Sequence, residues 1–596
     1  MDKKEELKKL ISVAFGREVP DCIFTNCSVF NVFTNETEKK DVAVSGGRIA
    51  GTGNYSEIYE NLINAAGTVK TDELKTEIID LKGAVICPGL IDGHIHIESS
   101  MLTPVSFAEA VIPHGTTAVV TDPHEIANVA GINGIEYMME QSRGLPMDVY
   151  FVLPSCVPAT PLDESGACLT AEELEPLIKR GNVAGLAELM NAFGTVRNDE
   201  EILEKIGVAQ RAGKVIDGHA PGLTGAELNA YVAAGVRSDH ECAFADEAIE
   251  KLRLGQWIMI REGTAAKNLE KLMPLFDDRY YNRCLLVTDD RHPGDLVNLG
   301  HIDYIIREAV RRGADPAKAV KMASFNAAQY FGLKDKGAVA PGYRADFITV
   351  DSLESFNVDR VYYGGKLVAE KGTLTDKNTI SECRSDIVNY GRVFDSFNMP
   401  DIKPEDLKIT GNGTKRRVIG LIPGEILTSE VITDADTSKD AENGIVKLAL
   451  IERHKNTGHI GKGFLSGYGL KSGAVASSIG HDSHNLIVAG TNEEDMALAA
   501  NTVKRNKGGL AVVNGGKVTG ELALPVGGLM CELSASEVED KLVELKKITG
   551  ELGVDEGIDA FMTLSFASLP VIPALRITTH GLTATDTQSI VPVFFD

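Results

Sequence analysis

The stretch PGLIDGHIHIESSM, residues 88–101, sets two histidines one residue apart at the end of an apolar run. Side chains of a strand alternate between its faces, so His94 and His96 point the same way and can grip one cation together. Outward from this stretch, short apolar strands alternate with amphipathic helices. The strand signals are Leu90–Ile97, Thr116–Thr121, Val149–Pro154, Val183–Leu189, Lys214–His219, Val236–His240, Trp257–Arg261 and Cys284–Asp289. Helical patterns lie between them at Glu125–Arg143, Ala171–Arg180, Asp199–Arg211 and Thr224–Ala234. Eight strands in about 250 residues match the count and length of a (β/α)8 barrel, with an open doubly wound sheet as the alternative.

The flanks differ in texture. Residues 1–20 read as a helix, and the segments CIFTNCSVFNVF, KDVAVSGGRIAGTG and EIIDLKGAVICPG are β-rich with Gly turns, a pattern that returns over residues 337–372. The expected organisation is α/β: a composite β domain from residues 1–87 and 336–400, a TIM-like barrel over 88–335, and a C-terminal α+β domain over 405–596.

Composition narrows the function. The 596 residues are 43% apolar and 24% charged, as in an ordinary globular protein. With 60 basic and 85 acidic residues the net charge is −25, which argues against a phosphate-binding surface and hence against nucleic acid. The nine cysteines are scattered, without a C-x-x-C pair, so a reducing cytoplasm is expected. The charged, amphipathic start lacks the features of a signal peptide, and Phe561–Leu575 is too short and proline-interrupted to span a bilayer, so no membrane association is expected.

The C-terminal ends of the later strands carry a consistent set. Glu188 ends the fourth strand, His219 the fifth, His240 the sixth and Asp289 the eighth. In a barrel these ends converge on one mouth, and four histidines with two carboxylates suit Zn, Fe or Mn. Two histidines, His481 and His484, stand three apart in HDSHN, a spacing that on a helix shares one face. A loop covering the barrel mouth or holding a domain contact is the expectation there. His454 and His459 show no partner pattern and are expected at the surface.

With these residues in place, the chain resembles the amidohydrolase superfamily, whose ligands are His-x-His on strand one, a carboxylate on four, His on five and six, and Asp on eight. Strand four carries Glu188, where many members have a carboxylated lysine. More narrowly, GHIHIESSML, TDPHEIANV, GLAELMN, TDDRHPGDL and HDSHN resemble the bacterial-type adenine deaminase family over nearly the whole chain. The resemblance implies a metal-dependent hydrolase acting on a C–N bond of a cyclic amidine, converting adenine and water to hypoxanthine and ammonia in purine salvage or adenine catabolism. It implies a binuclear Mn2+ or Fe2+ centre, with Zn2+ also compatible, held by His94, His96, Glu188, His219, His240 and Asp289.

Asp289 is the expected proton shuttle. Glu98, two residues past His96 and so expected on the same strand face as His94 and His96, either protonates a ring nitrogen or bonds a ligand histidine. His124 is a candidate for substrate contact, and Asp290, Arg291 and His292 follow strand eight and face either the mouth or solvent. Rival readings are a cyclic-amide hydrolase of the dihydroorotase or hydantoinase kind and a non-catalytic scaffold that kept the barrel. A homo-oligomer, dimer or higher, is compatible with the extended β segments and acidic surface.

Overall fold

The computed structural model describes residues 2–66, 76–264, 266–376, 390–422, 427–438, 440, 443–572 and 574–596. Eight parallel strands form the central element: β1 (Leu90–Ile95), β2 (Thr116–Thr121), β3 (Asp148–Leu153), β4 (Val183–Leu189), β5 (Val215–Gly218), β6 (Ser238–Asp239), β7 (Trp257–Arg261) and β8 (Cys284–Val287). β1 to β5 pair in sequence as one sheet, and β6 to β8 as a second. The sheets join on both sides: the Arg237 N–H donates to the Ile216 carbonyl at 3.0 Å, and the Asp289 N–H to the His94 carbonyl at 2.9 Å. The result is a closed (β/α)8 barrel rather than an open sheet.

The barrel interior is a packed apolar plug. Ile91, Ala118, Val120, Val152, Met259 and Leu285 belong to one buried cluster, closed by Tyr330 and Phe331. An added Cβ on Gly93 would lie 2.4 Å from Leu285 Cδ1, so glycine lets β1 approach β8 there without displacing the Leu285 side chain. Ile95, two residues on, instead packs in the cluster between strands and outer helices. The register of β1 against β2 shifts between Asp92 and Ile95, and this irregularity changes which residues face inward. Asp92 secures it, accepting from Thr288 Oγ1 at 2.5 Å and from the His94 N–H at 3.2 Å.

One flanking sheet is assembled from both sides of the barrel. Strand Val85–Pro88 pairs in parallel with Ser28–Asn31 and antiparallel with Phe347–Val350. A second, four-stranded sheet contains Cys22–Thr25, Asp41–Ser45, Arg48–Gly53 and Glu77–Asp80. The C-terminal part carries a nine-stranded sheet with helices Glu493–Arg505 and Ala535–Glu551. It meets the barrel where the Cys531 N–H donates to the Met101 carbonyl at 2.9 Å.

One local expectation is corrected. The helix expected over Glu125–Arg143 is two helices, His124–Ala130 and Ile132–Gln141, interrupted at Gly131, whose φ of 62° is poorly compatible with a continuous helix. The eight described cysteines are all free, while Cys383 lies outside the described residues. Among the described residues no helix is long and apolar enough to cross a membrane.

Candidate metal centre

The strand ends bring all six expected ligand residues together at the barrel mouth. Glu188 lies at the middle, buried: its Oε1 is 3.4 Å from His96 Nε2, while its Oε2 is 2.7 Å from His219 Nδ1 and 3.2 Å from His240 Nε2. Asp289 Oδ1 is 3.1 Å from His96 Nε2 and 3.4 Å from His94 Nε2. The rings of His94 and His240 stack with centroids 4.1 Å apart. Asp289 therefore faces two of the histidines and Glu188 three, and Glu188 divides its oxygens between the two sides of the centre.

Neighbouring elements fix these side chains. Tyr231 Oη donates to the Leu189 carbonyl at 2.7 Å and accepts the His219 N–H at 3.0 Å, tying the ends of β4 and β5. The buried Lys251 donates to Asp239 Oδ2 at 2.5 Å and to the Ala220 carbonyl at 2.7 Å, and so steadies the residues beside His240 and His219. β8 ends at Val287, and Asp289 adopts a left-handed backbone with φ 58°. This conformation, and not strand alternation, turns its carboxylate toward the histidines. Asp290 points elsewhere, accepting from Ser99 Oγ at 2.5 Å.

The donor set fits a cation. His96 Nδ1 lies 3.1 Å from the Asp122 carbonyl, which can only accept, so Nδ1 carries a proton. In the neutral ring Nε2 then holds a lone pair, aimed at Asp289 and Glu188. Three electron-rich groups converge on one point, the arrangement a metal ion satisfies. Both ring nitrogens of His94 and Nδ1 of His240 are buried without a hydrogen-bond partner. Without a cation the imidazoles must supply the positive charge: burial pulls His96 down, but Asp289 and Glu188 outweigh it and push it well above its ordinary value. His240 moves up to about 9, because Glu188, Glu241 and Asp289 overcome its desolvation.

Two residues not anticipated from the sequence complete the charge pattern. Arg261, at the end of β7, donates to Asp289 Oδ2 at 2.7 Å and pairs bidentately with Glu241. Burial alone would raise Asp289, but Arg261 and the histidines hold its carboxyl well below the usual range. Arg261 was findable, since it ends a barrel strand as the ligand residues do.

Glu98 is not on the strand face shared by His94 and His96, because β1 gives way to a 3-10 turn over Ile97–Ser100. Its carboxyl is buried, accepts the Ile126 N–H at 3.2 Å through Oε1 and leaves Oε2 without a partner. Desolvation pushes its pKa up to about 7. His124 caps the mouth with Nδ1 3.0 Å from Asp122 Oδ2 and 3.4 Å from Glu188 Oε1.

Arg291 does not face the mouth: it is buried and donates to the carbonyls of Glu262 and Gly300 at 3.1 and 3.0 Å. His292 lines a cavity with Ser99, Asp290, His481 and Phe566, where barrel mouth and C-terminal part meet. His481 and His484 lie in a turn and not on a helix, and both reach Glu125. His459 is exposed and paired with Glu164 at 2.9 Å, whereas His454 is half-buried, its Nε2 2.7 Å from the Ser483 carbonyl.

The fold and this ligand set define the class, and the comparisons agree. The model of the "Amidohydrolase family" matches residues 85–368, and that of the "Adenine deaminase C-terminal domain" matches residues 425–589. The adenine deaminase 2 of Carboxydothermus hydrogenoformans is 47% identical over 98% of this chain and 99% of its own. The adenine deaminase of Kosmotoga olearia is 43% identical over 98% of both chains. Among solved structures, a β-aspartyl dipeptidase from Fervidobacterium islandicum is 18% identical, with a TM-score of 0.44 over 60% of this chain and 98% of that one. The chain belongs to the adenine deaminase family, within the metal-dependent amidohydrolases.

Proposed function

We propose that the protein is a hydrolase that converts adenine and water to hypoxanthine and ammonia. The observation that carries this reading is Glu188, whose two oxygens face His96 on one side and His219 with His240 on the other. That is the arrangement a carboxylate needs to bridge two cations without modification. His94, His96 and Asp289 would hold one metal, His219 and His240 the other, with Mn2+ or Fe2+ the preferred pair and Zn2+ compatible. When bound, the metals supply the nucleophile by lowering the pKa of water from 15.7 to about 7.

The remaining chemistry belongs to the chain. Asp289, ionised and braced by Arg261, accepts the nucleophile's proton and passes it to the departing amine. Glu98, raised to about 7 by burial, is partly protonated near neutral pH and has a free oxygen, which suits it to protonate a ring nitrogen as aromaticity is lost. His124 contacts the substrate from the edge of the mouth. The chain is read as three parts: residues 1–87 with 336–400, 88–335, and 405–596. The acidic surface fits a cytoplasmic homo-oligomer, dimer or higher, that engages neither nucleic acid nor membrane.

The test is ammonia release by the purified, metal-loaded protein across purines and cyclic amides. Adenine should be turned over fastest. Preference for a dihydroorotate- or hydantoin-like ring would overturn the substrate assignment, and absence of any turnover would favour a non-catalytic scaffold.

A further inference from the structure

Glu125 is buried at the start of helix His124–Ala130, and three imidazoles surround its carboxylate. His481 Nδ1 is 2.8 Å from Oε1, His484 Nε2 contacts Oε2, and His124 Nε2 is 3.4 Å from Oε1. Two of the three come from the C-terminal part, His484 being 359 residues away in sequence.

The backbone fixes the proton on His484. The Gly480 N–H donates to His484 Nδ1 at 3.3 Å, so that nitrogen holds the lone pair and the proton of the neutral ring sits on Nε2. His484 Nε2 is therefore a hydrogen-bond donor to Glu125, a role that excludes ligating a metal through the same atom. The surroundings hold both rings in place. Buried Arg453 donates through Nε to the His484 carbonyl and through Nη2 to the Gly527 carbonyl at 2.9 Å. The His481 ring stacks on Phe566 with centroids 5.0 Å apart and planes 27° apart.

Beyond Glu125 the contacts run into the barrel: His124 Nε2 faces Glu125, and His124 Nδ1 faces Asp122 and Glu188. We propose that His481 and His484 are positioning residues that hold Glu125 against His124, so that the site at the barrel mouth is complete only with the C-terminal sheet docked on it. This inference rests on the proposed deaminase reading for the reaction it serves. It assigns the HDSHN segment a role in catalysis exerted through two intervening side chains, with no contact to the reacting atoms.

The experiment compares the metal-loaded parent with His484→Ala, His484→Gln, Glu125→Gln and the His484→Ala/Glu125→Gln double variant. Metal content, Tm, kcat and KM are measured for each. His484→Ala and Glu125→Gln should each lower kcat by about 10- to 100-fold, the range for groups that orient an active-site residue, with metal content unchanged. His484→Gln, which restores an N–H near Nε2, should recover most of the loss. The double variant should be no worse than the poorer single, because both changes break the same contact.

Multiplicative losses in the double variant, or glutamine no better than alanine at 484, would overturn the proposal. So would a drop in metal content on His484→Ala, which would make the cluster a metal site. Should His484→Ala fail to fold, the near-isosteric Glu125→Gln and His484→Gln pair carries the same comparison. The parent's rate on adenine reports on the deaminase reading alone. Variant ratios, taken on whichever substrate the parent accepts, report on the positioning contact alone.

Discussion

The barrel mouth and the His481–Asn485 turn both bring histidines to buried carboxylates, but by different routes. At the mouth, five strands of one repeating architecture end together, and the residues at or just past their ends converge on one centre. At the turn, Glu125 meets histidines from a loop of the C-terminal part, and no periodic element relates the two. A repeated architecture lets ligands be assigned from strand ends alone. A docked contact carries no such signature until the surfaces are seen together.

The strongest way to break the mouth's side of this comparison is to remove its metal. Chelation should abolish deamination, and added Mn2+ or Fe2+ should restore it; robust turnover by metal-free protein would sink the mechanism. Next comes Asp289→Asn, which keeps shape but removes basicity. A fall in kcat of at least about 10²-fold is expected with little change in Tm, since general acid–base losses run at 10²–10⁴-fold. Asp290→Asn is the control, because that carboxylate faces Ser99 and not the histidines. If Asp290→Asn proved the more damaging, the assignment at the end of β8 would be wrong.

Glu188→Gln sharpens the bridging assignment. Metal content after dialysis should fall below the parent's, because a neutral amide neither bridges well nor offsets cation charge; equal occupancy would place the bridge elsewhere. The smallest effect belongs to His459→Ala, which breaks the exposed His459–Glu164 contact between the C-terminal part and the barrel. Exposed pairs contribute only about 0.2–1 kcal/mol, so kcat should stay within twofold and Tm should move by a few degrees at most. A large loss of activity there would show that docking depends on the rim as well as on Glu125.

Much of the fold was legible because its signals are local. Apolar runs gave the eight strands, and strand ends gave the six residues at the centre. What escaped depended on breaks in periodicity. Alternation set Glu98 on one face with the two histidines, but the chain leaves β1 for a 3-10 turn after His96. The strand-end position picks out Asp289, though its left-handed backbone is what aims the side chain. His454 read as a surface residue because its partner, the Ser483 carbonyl, belongs to a turn with no sequence signal of its own. Arg261 carries no ligand signal because a guanidinium offers donors and no lone pair to a metal, although its position at a strand end marks it.

The sheet that embraces the barrel has a consequence for how the chain is made. Val85–Pro88 is an interior strand of it, yet its antiparallel neighbour Phe347–Val350 follows about 260 residues later. At about 5–20 residues per second on the ribosome, that is an interval of about 13–50 s. Throughout it, Val85–Pro88 can pair on one side only, with Ser28–Asn31, and presents an open edge while the whole barrel is being synthesised. Closing this sheet thus waits for Phe347–Val350, the strand that follows the last barrel helix, to leave the ribosome.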